Sequence, residues 1–197
     1  AQGADGIAAL NLVLPVYSLI FALGAMLATG AATRFALERH EGKHADSYLA
    51  EALTWAEILS VPFILLGIFG AESIVRLLGG EPDIVTVGAP YTRIFLLFTP
   101  FFMCNYILRS FVLNDGDPSL AMTATMASSL FNIVMDWVLM FPLGMGMAGA
   151  ALATAASPIV GMGINALHFR KKTNTLCFRW HKPTFKLLAH VSAVGVS

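Results

Sequence analysis

Asp136 stands out by the company it keeps. It lies in the run Ile133-Val-Met-Asp-Trp-Val-Leu-Met140, where water is excluded if the run spans a membrane. An aspartate at the centre of such a helix costs about 2.5 to 3.5 kcal/mol on insertion scales, so it faces a bundle interior or a watery cavity and marks an ion or proton path. The plainer reading is a hydrogen-bond clamp between two helices. Asn132 precedes Asp136 by four residues and shares its helix face. Carboxylate and amide oxygens together are the ligand types that hard cations prefer. Thr154 stands at similar depth in the next, antiparallel apolar run and offers a hydroxyl.

A second pattern belongs to enzymes. His40, Glu41 and His44 spell H-E-x-x-H, in which two imidazoles one turn apart hold zinc and the glutamate activates water. Here Gly42 weakens the helix that geometry needs, Lys43 sets a positive charge beside the metal, and only Glu51 and Glu57 are near enough to be a third ligand. A solvated loop is the expectation, with a membrane-embedded zinc protease as the rival from another class. Glu57, about one turn inside the cytoplasmic end of its span, reads as an interface residue whose head snorkels to water. Cys104 and Cys177 match no disulfide or zinc spacing and read as free thiols.

The elements that position these residues follow from where charge is missing. Asp, Glu, Lys and Arg make up 12% of the 197 residues, about half the usual share. None falls between Asp5 and Arg34, between Glu57 and Glu72, between Asp117 and Asp136, or between Asp136 and Arg170. Runs of this size cross roughly 30 Å of hydrocarbon as helices. They are apolar all round, which a soluble bundle cannot tolerate. Five spans are expected, over 7–35, 52–69, 85–111, 119–141 and 147–169, with a sixth starting near Phe185. A short amphipathic segment, 71–78, carries Ile74, Val75, Leu77 and Leu78 on its apolar side and lies along the outer interface. Pro15, Pro62, Pro100 and Pro158 fall inside spans, where neighbouring helices re-satisfy the freed backbone. Small residues, at Gly24, Ala28 and Gly30 and at Gly149, Ala153 and Gly161, suit close helix packing. A net charge of zero gives no basic surface for nucleic acid.

The ordered set of short tracts resembles the multidrug and toxic compound extrusion family of secondary transporters across essentially the whole chain. Gly6-Ile-Ala-Ala-Leu opens a span, Gly30-Ala-Ala-Thr closes it, and Glu41-Gly-Lys-His-Ala-Asp follows in the loop. Leu77-Leu-Gly-Gly, Ala89-Pro-Tyr91, Leu108-Arg-Ser and Gly116-Asp-Pro-Ser come next. Phe131-Asn-Ile-Val-Met-Asp136 and Gly146-Met-Ala-Gly-Ala-Ala-Leu-Ala-Thr154 complete the series. The resemblance implies an all-α polytopic bundle covering spans two to six and the start of span seven of a twelve-span, two-lobe protein. Residues 1–172 would be the N-terminal lobe without its first span, 173–184 a cytoplasmic linker, and 185–197 the start of span seven. It implies a plasma-membrane antiporter, not an enzyme, that exports amphipathic or cationic drug-like compounds against sodium ions or protons by alternating access. The implied ion site is Asn132 and Asp136 with Thr154 and the backbone carbonyl of Ala150. No cofactor beyond the coupling ion is implied; the partners are drug-like molecules, membrane lipid, and the first span and C-terminal lobe of the same protein. The nearest alternative is a lipid or polysaccharide-precursor flippase of related fold, which usually carries more cavity arginine; none is read within a span here.

Orientation follows from the cations. With the first connection cytoplasmic, ten Lys and Arg fall inside and only Arg76 and Arg93 outside. A cysteine introduced at Asp46 or Asn174 is therefore expected to react with an impermeant maleimide only from the cytoplasm, and one at Glu81 only from outside. The reverse labelling pattern would refute the orientation.

Overall fold

The computed structural model describes residues 2–40 and 47–176, and among them every regular element is helical. Helix α1, Gln2–His40, has 39 residues, about 58 Å at 1.5 Å per residue. It outruns the expected span at both ends, and Glu38 and Arg39 fall on the part beyond that span. Helices α2 (Tyr48–Phe69), α6 (Pro118–Met140) and α7 (Gly146–Ala166) each have the length and apolarity to cross a bilayer. The expected sixth span, the linker beyond 176, Cys177, Glu41 and His44 lie outside the described residues.

The run expected as one span over 85–111 is instead two helices, α4 (Pro82–Leu97) and α5 (Thr99–Asn114), bent by 48° at Phe98. Pro100 is the cause that the chain supplies. It has no N–H to donate and its ring would strike the carbonyl four residues back, so a helix restarts there rather than continuing. Pro15, Pro62 and Pro158 sit inside unbroken helices. The short α3 (Ala71–Leu77) differs from expectation in its face: Ala71 and Val75 are buried, whereas Leu77 is 88% exposed. One narrow side of this seven-residue helix meets α4, and Leu77 lies off it.

Two kinds of contact hold the bundle. Across α1, α4 and α5, rings stack in a file: Tyr17 on Phe95 at 3.9 Å between centroids, Phe95 on Phe102 at 4.4 Å, and Phe21 edge-on to both phenylalanines. Along α6 and α7 small residues do the opposite job and let backbones approach. Ala151, Ala153 and Ala155 are fully buried, and a Cβ built on Gly149 would lie 2.9 Å from the carbonyl carbon of Leu139. On the far side of α6, Met122, Met126, Leu130, Ile133 and Trp137 are all more than half exposed, a stripe suited to hydrocarbon and not to water.

The α6–α7 approach is therefore the tightest test of packing. Gly149→Val is expected to destabilise the bundle by about 1 to 3 kcal/mol through overpacking, read as a lower melting temperature in detergent. Gly163→Ala, where an added methyl meets nothing within 4 Å, is expected to be neutral or slightly stabilising.

Candidate functional site

Helices α6, α7 and α4 bring three of the expected polar groups and one unexpected one together. The Asn132 Nδ2 donates to Thr154 Oγ1 at 3.4 Å across the α6–α7 seam, which leaves the amide oxygen of Asn132 unspent. Asp136, one turn further along α6, is half-buried, and its Oδ1 is sealed from solvent with no hydrogen-bond partner among the described residues. Ala150 stands one turn before Thr154 on α7, half-buried. The unexpected member is Tyr91 of α4, which is 7% exposed and lies within electrostatic reach of Thr154 and Asp136. Its neighbour in sequence, Pro90, belongs to a tract already noted above, but nothing in the spacing ties α4 to α6.

The polar seam continues toward the end of the bundle that holds most of the cations. Ser157 Oγ donates to the Thr154 carbonyl at 3.0 Å, and Ser128 Oγ donates to the Ser157 carbonyl at 2.6 Å. Beyond them a cavity of about 190 Å³ is lined by Asn105, Arg109, Ser129 and Asn165 among others. Arg109 lies inside α5, and Arg93 inside α4, so the expectation of no arginine within a span is corrected: these helices run on past their charges. Glu57 also sits deeper than expected. Because α2 begins at Tyr48, nine residues earlier, Glu57 is about two and a half turns from the helix start. It is exposed, with the Cys104 thiol 3.6 Å from Oε1. His40 ends α1 exposed, and no group of three or more His, Cys, Asp or Glu among the described residues could hold a metal.

At the basic end a second polar cluster forms that no sequence pattern announced. The loop after α5 turns through Gly116, whose φ of +90° suits glycine alone, and presents Asp115 and Asp117. Asp115 is fully buried in its side chain. It accepts from Arg39 Nη1 at 2.5 Å, from the Thr175 N–H at 2.9 Å and from the Thr175 hydroxyl, and its Oδ2 lies 2.7 Å from His168 Nε2. Asp117 accepts from Lys171 Nζ at 2.6 Å, lies 3.0 Å from His168 Nδ1, and caps α6 by accepting from the Leu120 N–H at 3.3 Å. Burial pushes the Asp115 carboxyl upward, but the bonds from Thr175 and His168 and the charge of Arg39 outweigh it and hold it below the usual range. The bond from Lys171 does the same for Asp117, against a smaller opposing effect of burial.

The sequence profile of the MatE family matches residues 1–138. A multidrug export protein MepA from Staphylococcus saprophyticus is 29% identical over 196 residues, covering 96% of this chain and 43% of that protein; the MepA of Staphylococcus aureus is 25% identical over 197 residues. A solved inward-facing conformation of a multidrug resistance MATE family transporter of the MOP superfamily superposes with a TM-score of 0.89 at 27% identity, over 98% of this chain and 45% of its own. A MOP superfamily transporter from Pyrococcus furiosus, for which a reversed polarity of the binding pocket suggests a different function, gives 0.84 at 28% identity, over 98% and 46%. The chain thus spans less than half the length of the relatives it matches.

Depressed carboxylates stabilise the fold above the unfolded aspartate value of about 3.9, and that contribution disappears as pH falls through their lower folded values. Asp115→Ala is expected to lower the melting temperature at pH 7. Breaking a buried pair costs roughly 3 to 5 kcal/mol, and the low end applies because Arg39 is 43% exposed. The gap from wild type is expected to narrow steadily below about pH 4; a gap independent of pH would show that Asp115 acts by shape and not by charge.

Proposed function

The chain belongs to the MatE family, and from that footing we propose that the protein carrying it is a multi-pass plasma-membrane exporter that moves amphipathic, often cationic, drug-like compounds outward against an inward flow of sodium ions or protons. One observation carries the coupling part of this reading: Asp136, in an apolar helix, keeps a carboxylate oxygen buried and without a donor among the described residues, beside Asn132, Thr154 and Tyr91. A carboxylate saturated by fixed donors is a clamp, whereas one left with an open valence in a dry site has room for a proton or a cation. Occupation of that valence removes or balances the charge, and the packing of α6 against α7 changes with it. Repeated on both sides of the membrane, such a change drives alternating access.

The flippase reading draws its support from Arg109, whose guanidinium borders the cavity shared with Asn105 and Asn165, because a fixed cation there suits an anionic head group. Fluorescent lipid scrambling and dye export from vesicles containing the full-length protein separate the two readings.

Asp136→Asn in the full-length protein keeps the side-chain size and removes the charge, so insertion is expected to survive and even to improve. Uphill dye export, by contrast, is expected to fall to the level of empty membranes, with loss of its response to the cation gradient. Undiminished export at equal expression would make Asp136 a packing residue and place coupling elsewhere.

A further inference from the structure

We propose that His168, as an imidazolium bridging Asp115 and Asp117, is a positioning residue that locks residues 167–176 and the first turn of α6 into one body with the end of α1. The inference rests on the exporter reading only for its effect on transport; the lock itself stands on geometry.

His168 lies in the 3₁₀ turn Leu167–Arg170 that follows α7, and its side chain is fully buried. Both ring nitrogens face carboxylate oxygens, at 2.7 Å and 3.0 Å. A neutral imidazole carries one N–H and would turn a lone pair toward the other carboxylate; only the doubly protonated ring donates to both. The carboxylates then meet three cations: the ring, Arg39 from α1, and Lys171 from the segment beyond the turn. His40 lines the adjoining cavity of about 400 Å³, together with Arg39 and Asp115, and that cavity brings solvent to the edge of the cluster.

The bonds join three parts of the chain that are remote in sequence. Asp115 holds Arg39, 76 residues away, and the backbone and hydroxyl of Thr175, 60 residues away. Leu176 is then 4% exposed within the apolar core, and Asn174 braces it by bonding both its N–H and its carbonyl. Asp117 is the N-cap of α6, the helix that carries Asp136, about 28 Å further along at 1.5 Å per residue. A pull on the chain beyond α7 therefore reaches the base of α6 and the end of α1 through one ring, and does not act on α7 alone.

Hydrogen exchange on the full-length protein tests the lock. At neutral pH, His168→Gln, whose amide can donate from one end only, is expected to raise exchange at least tenfold in peptides covering 171–176 and 118–121, with α2 and α4 unchanged. Dye export by the same variant is expected to keep its KM within twofold and lose several-fold in kcat. If His168→Gln does not fold, Lys171→Met at the exposed rim is expected to give a smaller rise, several-fold, in the same peptides. Unchanged exchange overturns the bridge; faster exchange with unchanged kcat overturns the positioning role. Absence of export by wild type and variant alike would count against the exporter reading, and the exchange measurements would still decide the lock.

Discussion

A carboxylate taken out of water has to be compensated, and this chain meets that constraint in two opposite ways. At the basic end, Asp115 is surrounded by a guanidinium, an imidazole, a backbone N–H and a hydroxyl. Every lone pair has a donor, and the charge is fixed. Some five turns up α6, Asp136 has neighbours that are polar but not cationic, and one oxygen has no donor among the described residues. The first arrangement makes a rigid anchor. The second leaves an energetic debt that a mobile proton or cation can settle, and a transporter that runs on such an ion needs a site whose occupancy changes.

Close helix approach makes the open site possible. The seam between α6 and α7 is narrow because Gly149, where a Cβ would lie 2.9 Å from Leu139, carries no side chain. Only then can Asn132 reach Thr154 across it. Larger side chains on α7 would separate the helices, admit lipid or water, and turn Asp136 into an ordinary solvated or snorkelling acid. The small-residue stripe thus contributes packing and, by excluding competitors, sets the chemistry of the carboxylate.

Much of this was legible in the sequence because membranes make charge conspicuous. The long gaps between Asp, Glu, Lys and Arg mark the spans, and Asp136 is visible because it interrupts an apolar run. Asn132 and Thr154 follow from helical spacing and depth. Tyr91 was not legible: a tyrosine in an apolar helix carries no mark of which neighbour it meets, and its partner is 63 residues away by position. The lock at His168 was hidden for a related reason. Its bonds reach across 51 and 53 residues, a histidine among apolar residues has no periodic signature, and Asp115 and Asp117 look like ordinary turn residues beside Gly116 and Pro118. The break at Phe98 was half legible. Pro100 announces a disturbance, yet Pro62 and Pro158 lie in unbroken helices, so the residue type alone does not say which proline wins.

That break also bears on how the segment spans the membrane. Helices α4 and α5 have 16 residues each, about 24 Å apiece, short of the roughly 30 Å of hydrocarbon each would need to cross unaided. Neither half is long enough to cross alone, and the segment reaches spanning length only when both halves are taken together; at the bend the Phe98 N–H bonds Ile94 and its carbonyl accepts from Phe101 and Phe102, so the break keeps its own backbone satisfied. The ring file through Tyr17, Phe95 and Phe102 straddles this point, so α1 is the template on which the broken segment is completed. Packing on both sides of the break therefore depends on α1.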